Sequence, residues 1–296
     1  MNYFLMERSL NSSKNLDTLI EDIYSAIDVL SKGKDIKLSA SLVDDFGERM
    51  KSALIHWATP KKQTKGLRMS NVGKPARQLW YDMRSEQATF QHNPSTQIKF
   101  LYGHILEELL LLLVRLSGHT VTDEQKEVVV EGITGHMDCK IDGEVVDIKT
   151  ASGFAFKKFS EGALAESDDF GYLSQLTGYE AHEGTNGGGF LVINKENGEL
   201  CLFRPDDMDK PTIKKQIKNI KKAIKLDTPP EKCYNPISEG AKGNEKLSRQ
   251  CVFCPHKYDC WADSNNGQGL RVFKYSKGLM YLTKVVSPPR VEEVTF

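Results

Sequence analysis

The chain has 296 residues, enough to bury a substantial core as one elaborated domain or two small ones. Lysine plus arginine equals aspartate plus glutamate at 40 each, which excludes a globally basic polyanion binder and leaves any basic surface local. There is no apolar run of about 18 residues, and the opening MNYFLMERSLNSSKN lacks the apolar core of a signal peptide; the sequence reads as soluble and cytoplasmic, with no membrane partner.

In chain order, Leu16, Ile20, Ile23, Ile27 and Leu30 recur at helical spacing and predict a helix over 15–31, with Ser12 or Ser13 as its cap. A second amphipathic helix is expected over 41–57. The stretch 59–84 then gathers Lys61, Lys62, Lys65, Arg68, Lys74, Arg77 and Arg84 on a Gly/Pro-broken loop that also carries Ser70 and ends in Trp80 and Tyr81. Cations followed by aromatic rings suit a nucleic-acid strand, since phosphates need positive charge and bases stack on rings. A solvated loop with a core tryptophan fits the same residues equally well. Residues 98–116, IKFLYGHILEELLLLLVRL, are apolar almost all round, which predicts a buried helix. Glu107 and Glu108 stand out in it, because buried acids are paired or bind cations. His104 lies one turn earlier as a further ligand or a structural histidine.

The segment GHMDCKIDGEVVDIK, 135–149, carries the densest chemistry. Asp142-Gly143 between alternating residues is a two-residue hairpin signal. Pairing outward from that turn sets Cys139 opposite Val146, Asp138 opposite Asp147, and His136 opposite Lys149. Alternation then places Met137, Cys139, Ile141, Val146 and Ile148 on an apolar side and His136, Asp138, Asp147 and Lys149 on the other. Like charges directly across a sheet repel. A hard divalent cation, which prefers a few carboxylate oxygens plus water, would remove that repulsion.

Beyond it, 171–182 predicts a helix aligning Gln175, Tyr179 and His182, and 188–204 predicts a strand, an Asn197-Gly198 turn and a second strand. A Lys-rich amphipathic helix carrying Ile213, Ile217, Ile220 and Ile224 follows, its lysines read as a solvated face. The tail places Cys233, Cys251, Cys254 and Cys260 in one loop-rich segment, with His256 inside it, and 270–286 suggests a last hairpin. Four thiolates suit a 4Fe-4S cluster or Zn²⁺, and the spacing does not choose between them. Cys139 and Cys201 read as core residues. This order of elements indicates an α/β (α+β) fold around a small mixed sheet.

Four of these groups together resemble the PD-(D/E)XK nuclease superfamily, in its RecB-like and lambda-type phage exonuclease branch: Gly103-x3-Glu107, Gly135-x2-Asp138, Asp147-Ile148-Lys149 and Gln175-x3-Tyr179, spanning roughly 98–180. The resemblance implies a restriction-endonuclease-like core over 96–228; before it comes a helical region, 1–95, whose basic loop offers Lys65, Arg68, Ser70, Lys74, Arg77 and Trp80 as DNA contacts on its charge and rings. A four-cysteine segment, 229–268, and a C-terminal hairpin, 269–296, would follow. It further implies that Glu107, Asp138, Asp147 and the Ile148 carbonyl ligate Mg²⁺ or Mn²⁺, and that Lys149 orients the attacking water and stabilises charge on the phosphate. Gln175 and Tyr179 would position the strand, with His104, Glu108 and His136 in support. Iron–sulfur members of the branch end in a similar cysteine group, which favours the cluster over zinc; their upstream fourth cysteine is missing here, and Cys233 is its natural substitute. The function so implied is a DNA exonuclease of recombination, replication or DNA processing, of phage-encoded type, acting on DNA ends or single strands beside a recombinase, helicase or single-strand-binding protein. Two alternatives stay open: a structure-specific or restriction-like endonuclease with the same site, and a non-catalytic DNA-binding module with a structural metal.

Overall fold

A computed structural model describes residues 14–33, 38–59, 65–85 and 93–295 of the protein. The fold is α+β, and its longer helices are α1 (Leu19–Ser31), α2 (Ala40–Ala58), α3 (Ala76–Arg84), α4 (Pro94–Leu116), α5 (Gly153–Ser160), α6 (Tyr172–Glu183) and α7 (Ile213–Ala223). Among the described residues no helix is long and apolar enough to cross a membrane. The chain forms two compact units that do not follow chain order: Met1–Gly73 with Gln87–Ile217, and Lys74–Glu86 with Lys218–Phe296. The basic stretch 59–84 is therefore divided between the units at Gly73, and Lys61 and Lys62 lie outside the described residues.

The first unit is built on a sheet of order β1-β4-β5-β6-β7, comprising β1 (Val121–Thr122), β4 (Cys139–Ile141), β5 (Glu144–Ala151), β6 (Gly189–Asn194) and β7 (Leu200–Phe203). Among the described strands of this sheet only β5 and β6 run parallel, with Asp147 beside Phe190 and Lys149 beside Val192. Such a pair needs a long crossover, and α5 and α6 supply it. Every residue of β6 is buried, as expected of a strand covered on both faces. Leu19 and Ile23 of α1 and Leu110, Leu111 and Val114 of α4 pack on Cys139, Ile141, Val146, Ile148 and Leu191 to close one side of the sheet. Burying a side chain of this size is worth about 1.5–3 kcal/mol. A separate hairpin, β2 (Glu127–Val130) with β3 (Ile133–His136), lies against α6.

Two expectations need correction, and one element was missed. Helix α1 is preceded by a 3₁₀ turn, Leu16–Thr18, capped by Asn15, whose side chain accepts from Asp17 N at 2.9 Å; Ser12 and Ser13 lie outside the described residues. Helix α4 is buried only toward its C-terminal end, with Ile98, Phe100 and Tyr102 exposed at its start. The β2–β3 hairpin was not read from the sequence at all.

The second unit carries a sheet of order β12-β10-β11-β9-β8, comprising β8 (Ile237–Glu239), β9 (Asn244–Lys246), β10 (Arg271–Tyr275), β11 (Gly278–Lys284) and β12 (Glu293–Val294), in which β10 and β11 form the expected terminal hairpin. Leu247, Cys251 and Trp261 make its small core.

Candidate functional site

The Asp142-Gly143 turn forms as the sequence dictates, with φ of 50° and 91° at its two central residues. The ladder follows the expected register through Ile141 opposite Glu144, Lys140 opposite Val145 and Cys139 opposite Val146, and there it stops. Before Cys139 the chain leaves β5, because His136 is paired with Glu127 of β2 instead. His136 therefore does not face Lys149; its ring lies 3.7 Å from the Glu127 carboxylate, largely in solvent. Asp138 also lacks a cross-strand partner, and its Oδ2 instead accepts the Ile148 N–H at 2.7 Å. That bond fixes Asp138 against the strand that carries Asp147 and Lys149.

Asp147 is almost wholly buried, at 1% exposure, and among the described residues its Oδ1 has no hydrogen-bond partner. Its Oδ2 forms an ion pair with Lys149 Nζ. Glu107, reaching in from α4, accepts from Gln125 Nε2 at 2.9 Å. Burial, helped by Glu108 and Asp147, pushes the Glu107 carboxyl up to about 7. Burial and then the Asp147 charge drive Asp138 well above the usual carboxylate range. For Lys149 burial opposes the charge, but Asp147 and Asp138 outweigh it and hold the ammonium above its ordinary value. Three acids thus stand near one another in low dielectric with one lysine as counter-charge, a combination typical of functional sites.

The neighbouring acids turn elsewhere. Glu108 points toward Arg49, 3.9 Å away, in a network where Arg49 and Arg115 also hold Glu124. The His104 ring sits edge-on to His56 at 5.5 Å. On α6, Gln175 Nε2 donates to Tyr179 Oη at 3.0 Å and Tyr179 Oη donates to the His136 carbonyl at 2.7 Å, so the pair braces the strand leading into Asp138. Burial pushes the Tyr179 hydroxyl up to about 12. The His182 ring is 3.2 Å from the Val129 carbonyl, away from the acids.

The short loop before Gly73 is anchored here by Met69. This fully buried side chain lies where Gly135 and Gly178 leave room, and a Cβ at Gly135 would fall 2.5 Å from Met69 Cβ and 3.0 Å from the Tyr179 ring. Lys65, Arg68 and Ser70 remain exposed on the same loop. Lys74, Arg77 and Trp80 belong to the other unit and serve it. Lys74 lies 4.0 Å from Asp82; Arg77 donates to Cys260 Sγ at 3.0 Å and to the Pro230 carbonyl; Trp80 is buried and donates to the Leu226 carbonyl at 2.7 Å. Arg77 and Trp80 thus make contacts within their own unit.

In the second unit burial raises the thiols of Cys233, Cys251 and Cys254, the last to about 11, and Cys251 and Cys260 raise the others further. All four cysteines therefore sit within electrostatic range of one another. His256 is engaged otherwise, with Nε2 2.6 Å from Asp82 and its ring stacked on Tyr81. Among the described residues no group of three or more His, Cys, Asp or Glu side chains converges on a common point at metal-binding distance. The donor chemistry nonetheless fits: an unbonded buried carboxylate oxygen beside two further acids suits a hard cation, and four neighbouring thiols suit a soft one.

Sequence reasoning missed Gln125 and Tyr172. Gln125 sits in a turn that gives no signal. Tyr172 precedes Gln175 and Tyr179 at i, i+3 and i+7 on one helix face, and its ring lies 5.0 Å from Lys149 Nζ.

No family model and no curated protein matches the chain. Among solved structures, the crystal structure of SSO0001 is similar over 71% of this chain and 93% of its own, with 16% identity and a TM-score of 0.34, a likeness too slight to carry an argument.

Proposed function

We propose that the first unit is a divalent-metal-dependent deoxyribonuclease of the PD-(D/E)XK type, working as an exonuclease on DNA ends. The observation that carries this reading is the buried Asp147 carboxylate, with one oxygen unbonded and the other ion-paired to Lys149, next to Asp138 and Glu107. A structural core gains nothing from three crowded acids, whereas a phosphodiester hydrolase needs them. Glu107, Asp138, Asp147 and the Ile148 carbonyl would hold Mg²⁺ or Mn²⁺, which supplies Lewis-acid polarisation of the phosphate and a bound water of lowered pKa.

The chain's own groups do the rest. Lys149 stays protonated, so it stabilises negative charge on the phosphate and positions the water; it does not remove a proton. Gln125 orients Glu107, and the Ile148 amide orients Asp138. The Gln175–Tyr179 pair braces the strand that delivers Asp138. Lys65 and Arg68 offer exposed positive charge to the DNA backbone. In the second unit, Cys233, Cys251, Cys254 and Cys260 would hold a 4Fe-4S cluster, or zinc in its place, as a structural staple.

Digestion of end-labelled single- and double-stranded DNA, with Mg²⁺ or with EDTA, tests the proposal. The protein should shorten DNA from its ends only with the metal, leave closed circles intact, and lose activity by about three orders of magnitude in Asp147→Ala. Cutting that persists in Asp147→Ala, or no cutting by the parent protein, would refute it.

A further inference from the structure

Beside Lys149 an aromatic column runs from the core to the surface. Phe190 of β6 and Phe159 of α5 lie 5.6 Å apart, and each is 6.2 Å from the Tyr172 ring. Lys149 Nζ sits 5.0 Å from the centre of that ring. Phe170 then stacks on Tyr172 at 5.4 Å with an interplanar angle of 22°. Phe170 is 65% exposed, so the stack ends at the surface.

The surrounding chain holds this ring firmly. Asp168 accepts the Tyr172 and Leu173 amide protons through its two carboxylate oxygens, both at 2.9 Å, and so caps α6. Gly171, at φ 77°, turns the chain into the helix and packs backbone to backbone on Gly73, where a Cβ on either residue would collide with the other. That contact also ties the loop bearing Arg68 and Lys65 to the foot of the column. Lys158 secures the other flank by donating to the Ser167 carbonyl at 2.9 Å.

Phe170 and Lys149 both lie against the Tyr172 ring, and exposed cations stand on the loop tied to its helix, so this patch offers an open ring face to a base and positive charge to the phosphate that one sugar joins to it. We propose that Phe170, carried on Tyr172, is the stacking platform for one unstacked nucleobase of the strand being cut, and so positions the adjoining phosphate over Asp147 and Lys149. Phe170 is a positioning residue. The inference rests on the nuclease reading, and it commits to a nucleobase as the occupant because stacking tolerates any base and requires one face of the ring to be open.

The test is a cycle of binding measurements on Asp147→Ala, which keeps DNA uncut, using labelled single-stranded oligonucleotides that are intact or carry one abasic residue at successive positions from the end. One abasic position should weaken binding about ten-fold, Phe170→Ala should weaken binding of the intact strand by a similar factor, and the two together should cost no more than either alone. Phe170→Trp should bind normally. Equal binding of intact strand by Phe170→Ala, losses that multiply, or no binding at all would overturn the platform. Cutting of intact DNA by the parent protein, measured separately, decides the nuclease reading independently of this outcome.

Discussion

An unpaired carboxylate oxygen inside a folded protein is costly, by about 1–3 kcal/mol and more when charged, and Asp147 Oδ1 is such an atom. The cost has a pH signature. Glu107 has its proton held up to about 7 against an ordinary 4.5, and Asp138 is raised too. A carboxyl whose folded value is raised stabilises the fold fully below its unfolded value and loses that contribution as pH climbs through the folded one. The metal-free protein should therefore lose a few degrees of melting temperature as pH rises from about 5 to 7, with the loss levelling off above the Glu107 value. Mn²⁺ should recover it, and more so at pH 8 than at pH 6. Thermal melts at the two pH values with EDTA or Mn²⁺ check this; a melting temperature that rises across that window would contradict it. A second buried group invites a control outside the site. The His119 ring bridges Asp142 at 2.6 Å and Asp22 at 3.1 Å, joining the hairpin turn to α1. Without it two carboxylates face each other, so His119→Ala should cost about 3 kcal/mol in denaturant melts while leaving any nuclease activity of the folded fraction intact.

At the scale of elements, the site depends on close packing between the loop at Met69, the strand at Gly135 and helix α6. A Cβ at Gly135 meets the stiff base of the Met69 side chain, whereas at Gly178 it meets only the mobile methyl end. Gly135→Ala should destabilise the protein by about 1–3 kcal/mol, and Gly178→Ala by less, as urea unfolding would show. The sequence made the turn at Asp142 legible because its left-handed φ demands are local. It hid the end of the ladder, since whether His136 pairs with β5 or β2 depends on a hairpin whose turn at Glu131 and Gly132 gave no such clear signal. Asp138 nevertheless stays against β5, because it reaches the strand through the Ile148 amide rather than through pairing. Helix α4 misled for a related reason: an all-round apolar sequence says that burial is available, but not which half of the helix receives it.

At the scale of the whole molecule, the fold class was legible from the alternation of helical and strand periods, while the division into units was not. Residues 74–86 join the C-terminal unit across more than a hundred residues of chain, through bonds such as Trp80 to Leu226 and Arg77 to Cys260. Arg77 and Trp80 offered the composition of a DNA-binding loop, and their partners Cys260 and Leu226 lie too far along the chain for spacing to reveal. If a metal staples the four thiols, Cys254→Ser should raise amide exchange throughout 218–296 and 74–86 and leave the sheet carrying Asp147 protected.

The central claim is that Glu107, Asp138 and Asp147 together make a cation site. Calorimetric titration of Mn²⁺ into metal-free protein at pH 8, repeated on Asp138→Asn and Asp147→Asn variants that keep the parent circular dichroism, tests it most directly. We expect one or two ions bound by the parent and at least ten-fold weaker binding by each variant. Mn²⁺ binding that is unchanged by both substitutions would contradict the account.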